Sequence, residues 1–549
     1  MARPPRAAEP ATAGGATDLE LVVRACREAA QRLDVPRTTS PWLPPLPEQL
    51  GTDALPTLAP STPGPGALAP LVYGLVDVPH EQARRPLALD LDRTAHLLVV
   101  GAPRSGRSTL VRSLAAAIAR MPVAHVHLYV LDLGGALTSL AALPHAGAVV
   151  PRSDPARTER LLGWLSRELA RRQALLGARG HDSLPAQRAA AAPDDRLPHL
   201  VLVLDRWEAF LAAFQDLDAG RLVDTVHRLL QDGPAVGLHL VITSDRTALV
   251  TRLASMIDER VLLRLADRGD YAAAGLAARL VPDQLPPGRG WTLTGAPLQV
   301  QVAVPTDLEP PGSKRPPDLA SRPRRDGPVR IEAMPAHVRR ADRVEPDGAL
   351  VLGVGGDALA PIRLQLDDWR PGLLVAGPAG SGRSTALGTL ALALLVQGRH
   401  VVALAPRRSP LRGLCGLAAC LRDPTDAAGL ERALAGADAI VVDDVHLLLD
   451  APVAPVLEAA LARARDDGPP LLAAGSTADL LAAFRGLPME LRRSRSGLLL
   501  CPSAPADGEL VSTRLPALLT GPAAALPGRG LLVRDGAVVP LQVAADEQA

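Results

Sequence analysis

The chain has 549 residues, 47% of them hydrophobic, and a formal net charge of +1. That length exceeds the usual ~100–200 residues of one domain, so two or more domains are expected, with enough apolar content for real cores rather than wholesale disorder. A charge so near zero excludes a global electrostatic pull toward nucleic acid or anionic membrane, and 2% aromatic residues leave few rings on which bases could stack.

Other compositional features narrow the class further. Proline, 54 residues, is about twice average usage and clusters in a few stretches that read as linkers. Lys314 is the one lysine; every other basic residue apart from histidine is arginine. Cys26, Cys415, Cys420 and Cys501 are too sparse for a disulfide framework, which makes a reducing, cytoplasmic setting the default. The N-terminus has no apolar core of a signal peptide, and the longest apolar stretch, Ala386–Val396, is too short to span a bilayer.

In chain order, residues 1–47 read as a disordered start, a short helix and a proline-rich connector. Thr17 and Glu20 have the spacing of a capping box, and Leu19, Val22, Val23, Cys26, Ala30 and Leu33 share one helical face. The connector SPWLPPLP (Ser40–Pro47) is expected to run extended.

Residues 48–304 form the first expected domain. Its strands read Leu97–Val100, Val126–Leu131, Leu200–Leu204 and Leu238–Thr243, alternating with helices. That alternation predicts an α/β fold with a mostly parallel sheet covered on both faces. After the first of these strands comes GAPRSGRS: Gly101, Ala102, Pro103, Arg104, Ser105, Gly106, Arg107, Ser108, with Thr109 opening the next helix. This is a P-loop in every respect but one. Glycines let the backbone curl until its N–H groups face phosphate, the helix adds its positive end, and Ser108 would ligate Mg²⁺. Arg107 stands where lysine would reach the β/γ-phosphates. A planar guanidinium still pairs with phosphate but does not replace a compact ammonium in positioning the transferring group.

Asp154 (N-cap) and Pro155 begin a helix running to about Leu176, with Leu162, Leu165, Leu169 and Leu176 on one face. The strand LVLVLD then ends in Asp205, the Walker B position that holds the Mg²⁺ shell, and Arg206 occupies the place of the water-orienting carboxylate. Glu208 is the nearest carboxylate. Thr243, Ser244 and Asp245 end the next strand, where they could sense a γ-phosphate, and Asp132 in YVLDLGG reads as structural.

Residues 305–345 are a second proline-rich linker, and residues 346–549 form a second, shorter domain that repeats the first. Its strands read Leu373–Ala376, His400–Leu404, Ala439–Val442 and Pro470–Ala473. Its phosphate loop is GPAGSGRS: Gly377, Pro378, Ala379, Gly380, Ser381, Gly382, Arg383 and Ser384, followed by Thr385. Ser384 and Asp443 are the expected metal ligands, and Asp444, one methylene shorter than glutamate, is a handicapped candidate for catalysis beside Asp205 and Asp443. Ser476 and Thr477 end the following strand. Arg485, Arg492, Arg493 and Arg495 read either as fingers reaching a neighbour's site or as a solvated basic face. PGRG recurs at Pro287–Gly290 and Pro527–Gly530 before each closing strand. Phosphate loop and Walker B aspartate lie farther apart in the first copy, so a segment was gained or lost between them.

Together with SPWLPPLP, the runs YGLVDVPHEQ (Tyr73–Gln82), LYVLDLGGALTSLAALPHAGAVV (Leu128–Val150), GLHLVITSDR (Gly237–Arg246) and RRSRSGLLL (Arg492–Leu500) resemble the FtsK/SpoIIIE superfamily of ring-forming motors. Within it they are most similar to the tandem ATPase region of EccC-type proteins of type VII secretion. The resemblance implies two tandem P-loop NTPase (RecA-like) domains that bind ATP and Mg²⁺. It also implies partners among secretion-system or FtsK-type subunits, or self-association in a ring, and an export-signal peptide as client. Relatives carry an upstream ATPase domain and a membrane anchor, so the chain is expected to correspond to the last two ATPase modules, peripheral to the plasma membrane through a partner. Downstream modules of that family are often degenerate, in keeping with weak or regulatory hydrolysis here. Two alternatives stand beside this reading. One is a DNA translocase, which charge and aromatic content do not support; the other is an adapter that has lost nucleotide.

Overall fold

The computed structural model describes residues 16–35, 43–55, 64–306, 327–339 and 350–545. The expectations for the first fifteen residues, for the start of the first connector and for the stretch around Lys314 lie outside them. Helix α1 (Asp18–Arg32) begins at the anticipated capping box: the Thr17 N–H donates to Glu20 Oε2 (2.8 Å) and the Glu20 N–H to Thr17 Oγ1 (3.3 Å). None of its side chains is buried. No helix among the described residues is long and apolar enough to cross a membrane.

Two large sheets follow. The first contains β1 (Leu71–Val78), β2 (Ala83–Leu89), β3 (Leu97–Val100), β4 (Val126–Asp132), β5 (Ala146–Pro151), β6 (His199–Asp205), β7 (Leu238–Ser244), β8 (Glu259–Leu263), β9 (Arg289–Thr292) and β10 (Leu298–Val302), in the order β2-β1-β10-β9-β8-β3-β7-β6-β4-β5. From β8 to β5 every pairing is parallel; β9, β10, β1 and β2 add an antiparallel wing. Alternate residues of β3 serve two cores. Leu98 and Val100 join the apolar cluster on one face, Leu97 and Val99 that on the other, where helix α2 (Arg107–Ala119) packs.

The second sheet repeats the plan with β11 (Val338–Arg339), β12 (Leu350–Gly355), β13 (Ala360–Leu364), β14 (Gly372–Ala376), β15 (Val401–Leu404), β16 (Ala419–Leu421), β17 (Ala439–Val442), β18 (Leu471–Gly475), β19 (Gly497–Leu500), β20 (Arg529–Arg534) and β21 (Ala537–Ala545). Its order is β13-β12-β21-β20-β19-β14-β18-β17-β15-β16, with β11 beside β21. Both sheets are thus α/β with a parallel centre. The sequence reading identified the central strands and, after each PGRG, the closing strands β10 and β21; it did not identify the other strands of the wings.

The extra segment of the first half is now visible. Between β5 and β6 lie helix α3 (Pro155–Ala178) and a short helix, Leu184–Ala190; between β16 and β17 there is only Ala427–Leu434. Asp154 caps α3 by accepting from the Arg157 N–H (3.0 Å). Leu162, Leu165, Leu169 and Leu176 are buried in the first half. The opposite face of α3 meets the second half. Arg160 Nη1 donates to the carbonyls of Gly356 (3.2 Å) and Asp357 (3.1 Å), its Nη2 donates to the Glu332 carbonyl, and Arg167 pairs with the Asp357 carboxylate. From the other side Leu518 packs into the first half's core, and the Ala517 N–H donates to Asp218 (3.2 Å).

Connector residues 329–332 lie along the β5 edge. The Ile331 N–H donates to Gly147 O (3.1 Å), Tyr129 OH to Val329 O (3.1 Å), and Arg157 Nε to Ile331 O (2.6 Å). A Cβ at Gly147 would stand 2.6 Å from Val329 O, so glycine is what permits the approach.

Candidate nucleotide sites

The first phosphate loop bridges β3 and α2. Its entry is fixed by the Gly101 N–H donating to Ser244 O (3.1 Å) and the Ala102 N–H to Arg264 O (2.8 Å). Gly106 turns the chain at φ +109°, and a Cβ there would meet Gly288 N at 2.9 Å. The contact arises because the PGRG loop closes over the phosphate loop, the Gly288 N–H donating to Ser105 O (2.8 Å). No side chain caps the first turn of α2, so its amides remain available at the loop. Pro103 and Arg104 are exposed; Arg107, Ser108 and Thr109 are half-buried.

Beneath this loop lie polar atoms with nothing to bond. Ser105 Oγ, Arg107 Nη1 and Asp205 Oδ2 are buried without a hydrogen-bond partner among the described residues. Buried groups of this kind are normally satisfied, and leaving one unpaired costs about 1–3 kcal/mol. Asp205, at the end of β6, is 1% exposed. Its Oδ1 accepts from Thr243 Oγ1 (2.7 Å), which in turn accepts from the Arg206 N–H (2.9 Å). Burial pushes the Asp205 carboxyl above the ordinary carboxylate range; the Thr243 hydrogen bond opposes the shift and Asp132 adds to it. An acidic oxygen in that state is a site a cation would satisfy.

Arg206 adopts a left-handed conformation (φ +69°). Its side chain, 44% exposed, donates through Nε to Glu208 Oε1 (3.1 Å). Glu208 points inward. Its Oε1 lies 3.7 Å from Arg107 Nη1, and its Oε2 accepts from Ser244 Oγ (3.4 Å) and the Asp245 N–H (3.3 Å). Asp132 is structural, as its sequence setting suggested, accepting from the Ala136 and Leu137 N–H groups (3.1 and 2.9 Å).

The second loop repeats this geometry. The Gly377 N–H donates to Gly475 O (3.3 Å) and the Gly528 N–H to Ser381 O (2.9 Å); Gly382 has φ +91°, with Gly528 N 3.2 Å from where a Cβ would sit. Ser381 Oγ is again buried and unpartnered. Pro378, Ala379 and Gly380 are exposed, and Ser384 and Thr385 half-buried. Asp443 directly follows β17, is 2% exposed, and accepts from the Asp444 N–H (3.0 Å). Asp444, like Arg206, is left-handed (φ +51°). Arg383 donates through Nη1 to Gly377 O (2.5 Å) and through Nη2 to Asp444 Oδ1 (3.4 Å). The Ser476 N–H donates to His446 Nδ1 (3.4 Å), and the Thr477 N–H to Gly377 O (3.4 Å).

The arginine cluster is dispersed. Arg485 pairs with Asp450 on the surface, Arg493 pairs with Glu490, and Arg492 donates to carbonyls of residues 480–483 at the end of a helix. Two sets of residues escaped the sequence reading. The PGRG arginines tie the incoming connectors: Arg289 Nη2 donates to Leu46 O (2.7 Å), and Arg529 Nη2 to Pro335 O (2.8 Å). Their signal was the repeated motif itself. The inward orientation of Glu208 and His446 had no signal beyond their distance from the Walker B aspartate.

Residues 73–290 match the model of the FtsK/SpoIIIE family. ESX-4 secretion system protein EccC4 of Mycobacterium tuberculosis is 31% identical over 90% of this chain, and ESX secretion system protein EccC of Thermomonospora curvata is 35% identical over 46% of it. The chain spans only 41% and 20% of the length of these two relatives. A structure of Thermomonospora curvata EccC (ATPases 2 and 3) in complex with a signal sequence peptide aligns over 92% of this chain and 100% of its own, with TM-score 0.65 and 24% identity. The larger cytoplasmic domain of that EccC aligns over 93% of this chain and 65% of its own, again with TM-score 0.65. Residues 73–290 thus carry an FtsK/SpoIIIE-family domain, and along most of its length the chain is similar to EccC-type secretion proteins.

Proposed function

We propose that the chain is a tandem ATP- and Mg²⁺-binding module of a type VII secretion-like motor, with weak or regulatory hydrolysis. The observation that carries the reading is the duplicated loop with unsatisfied polar atoms beneath it, Ser105 Oγ, Asp205 Oδ2 and Ser381 Oγ. The residues present fit the group. Amides at the helix end of each loop, Gly106 to Ser108 and Gly382 to Ser384, would hold the phosphates, and Arg107 and Arg383 would pair with phosphoryl oxygens. Ser108 with Asp205, and Ser384 with Asp443, would complete the two Mg²⁺ shells, where the metal neutralises charge on the β- and γ-oxygens.

Slow turnover follows from the neighbours of those aspartates. Arg206 brings a cation to the position of the water-orienting carboxylate, and Asp444 is already engaged by Arg383. Clients would be export-signal peptides, as the relative solved with a signal sequence peptide suggests. The edge of β16, which ends the second sheet among the described residues, is the matching place for one. In the first half the corresponding edge, β5, accepts an extended segment through Gly147 O. Attachment to a membrane would come through a partner subunit.

Equilibrium binding of a fluorescent ATP analogue with Mg²⁺ tests the reading. Gly106→Val and Gly382→Val should each remove one site, and turnover should fall well below a typical enzyme's rate of about ten per second. Binding that survives the double variant would sink it.

A further inference from the structure

Each phosphate loop here faces a carboxylate that its Walker B strand does not place there by a fixed rule. Asp205 is followed at the third position by Glu208, whose Oε1 lies 3.7 Å from Arg107 Nη1. Asp443 is followed at the first position by Asp444, whose Oδ1 lies 3.4 Å from Arg383 Nη2. The two arginines are equivalent, and the two carboxylates are not. The third position after Asp443 is His446, which accepts the Ser476 N–H just as Glu208 accepts the Asp245 N–H. The strand-end bond is therefore kept at one position in both copies. The counter-charge moves to the adjacent position when a histidine replaces the glutamate. Residue identity has diverged while the ion pair has been retained, which a mere inheritance of position does not explain.

The surroundings give the pair its weight. In the first site both partners are well covered, their side chains 11% and 19% exposed, and Arg107 Nη1 has no hydrogen bond of its own. In the second the figures are 14% and 16%. Ion pairs this far from water are screened less than surface pairs.

We propose that Glu208 and Asp444 are resident counter-charges that hold the loop arginines when no triphosphate is bound, so that nucleotide must displace a carboxylate at each site before the guanidinium can engage phosphate. The inference rests on the nucleotide-binding reading above and adds the gate to it. Glu208 carries a second consequence. Because the same carboxylate holds Ser244 Oγ and the Asp245 N–H at the end of β7, release of Arg107 leaves Glu208 tied to that strand end and to Arg206. Glu208 and Asp444 are thus positioning residues that set affinity, and they oppose binding rather than assist it.

Isothermal calorimetry with Mg²⁺ and ATP tests this on the full chain. Glu208→Gln is measured in the Gly382→Val background, and Asp444→Asn in the Gly106→Val background. Circular dichroism shows that each variant is folded. The side-chain amide introduced by Glu208→Gln keeps an oxygen to accept the Asp245 N–H, so charge is removed while the strand-end bond stays. Each neutral variant should bind ATP about fivefold more tightly than its background, the size expected for releasing one partly covered ion pair. The gain should shrink as salt is raised. Affinity unchanged or weakened by Glu208→Gln, while Gly106→Val still abolishes binding at that site, would overturn the gate and leave the nucleotide site standing. Heat that persists unaltered through Gly106→Val and Gly382→Val together would remove the site reading, and the gate with it.

Discussion

Acidification should weaken the first half through one buried histidine, and the size of the effect can be worked out. His239, in β7, is buried at the end of the sheet opposite the phosphate loop. Its Nδ1 donates to the carbonyls of Thr94 and Ala95 (3.1 and 2.9 Å), so its Nε2 is left to accept from His199 Nδ1 (3.0 Å). His199 Nε2 in turn faces Asp92 Oδ1 at 3.2 Å. Burial, with the neighbouring His199 adding to it, pushes His239 down to about 3; the Ala95 carbonyl opposes the shift. An unfolded histidine titrates near 6.5. The unfolded chain therefore binds more protons than the folded one between these values, and stability must fall as pH falls from about 6.5 toward 3. At pH 5 the unfolded group is 1.5 units past its midpoint and the folded group has not begun to titrate, so His239 alone accounts for about 2 kcal/mol. Urea unfolding followed by tryptophan fluorescence in a Trp369→Phe background reads mainly the first half, which holds Trp164, Trp207 and Trp291. The background protein should lose about 2 kcal/mol more than His239→Gln between pH 7.5 and pH 5. Parallel losses in the two proteins would refute the assignment.

Two further outcomes follow from contacts at the site and between the halves. Thr243→Val removes the donor to Asp205 Oδ1 and the acceptor of the Arg206 N–H; it should cost about 2–3 kcal/mol in urea unfolding and weaken Mg²⁺-dependent ATP binding. Unchanged stability would show that Thr243 does not hold Asp205. Arg160→Ala strips donors from the carbonyls of Glu332, Gly356 and Asp357, so the halves should separate at a cost of about 3 kcal/mol. Calorimetry should then resolve two unfolding transitions, and small-angle scattering a larger radius of gyration. A single transition matching wild type would contradict it.

What could be read beforehand was local. The phosphate loops, the strands leading to Asp205 and Asp443, and the capped helix from Asp154 each announce themselves within a dozen residues. The antiparallel wings do not, because β1 pairs with β10 through Gly74 and Val302, far apart in the chain, and neither strand carries a turn signal joining it to the other. The behaviour of Glu208 was likewise hidden. Its direction depends on Arg206 adopting a positive φ, and sequence spacing alone leaves open whether a carboxylate three residues past the strand faces the loop or the solvent. The arginine cluster shows the opposite limit: neighbours in the sequence, Arg485, Arg492 and Arg493 turn toward three different sets of acceptors, which spacing alone does not reveal.

Helix α3 belongs to one copy alone, and that makes the duplicated molecule directional. Its inner face completes one core while its outer arginines grip the hairpin turn of the following copy. A chain with its halves exchanged would present that hairpin to a partner lacking the helix, and the two bodies would hang loose on their tether. Permuting the halves should thus give two competent folds and no joined particle.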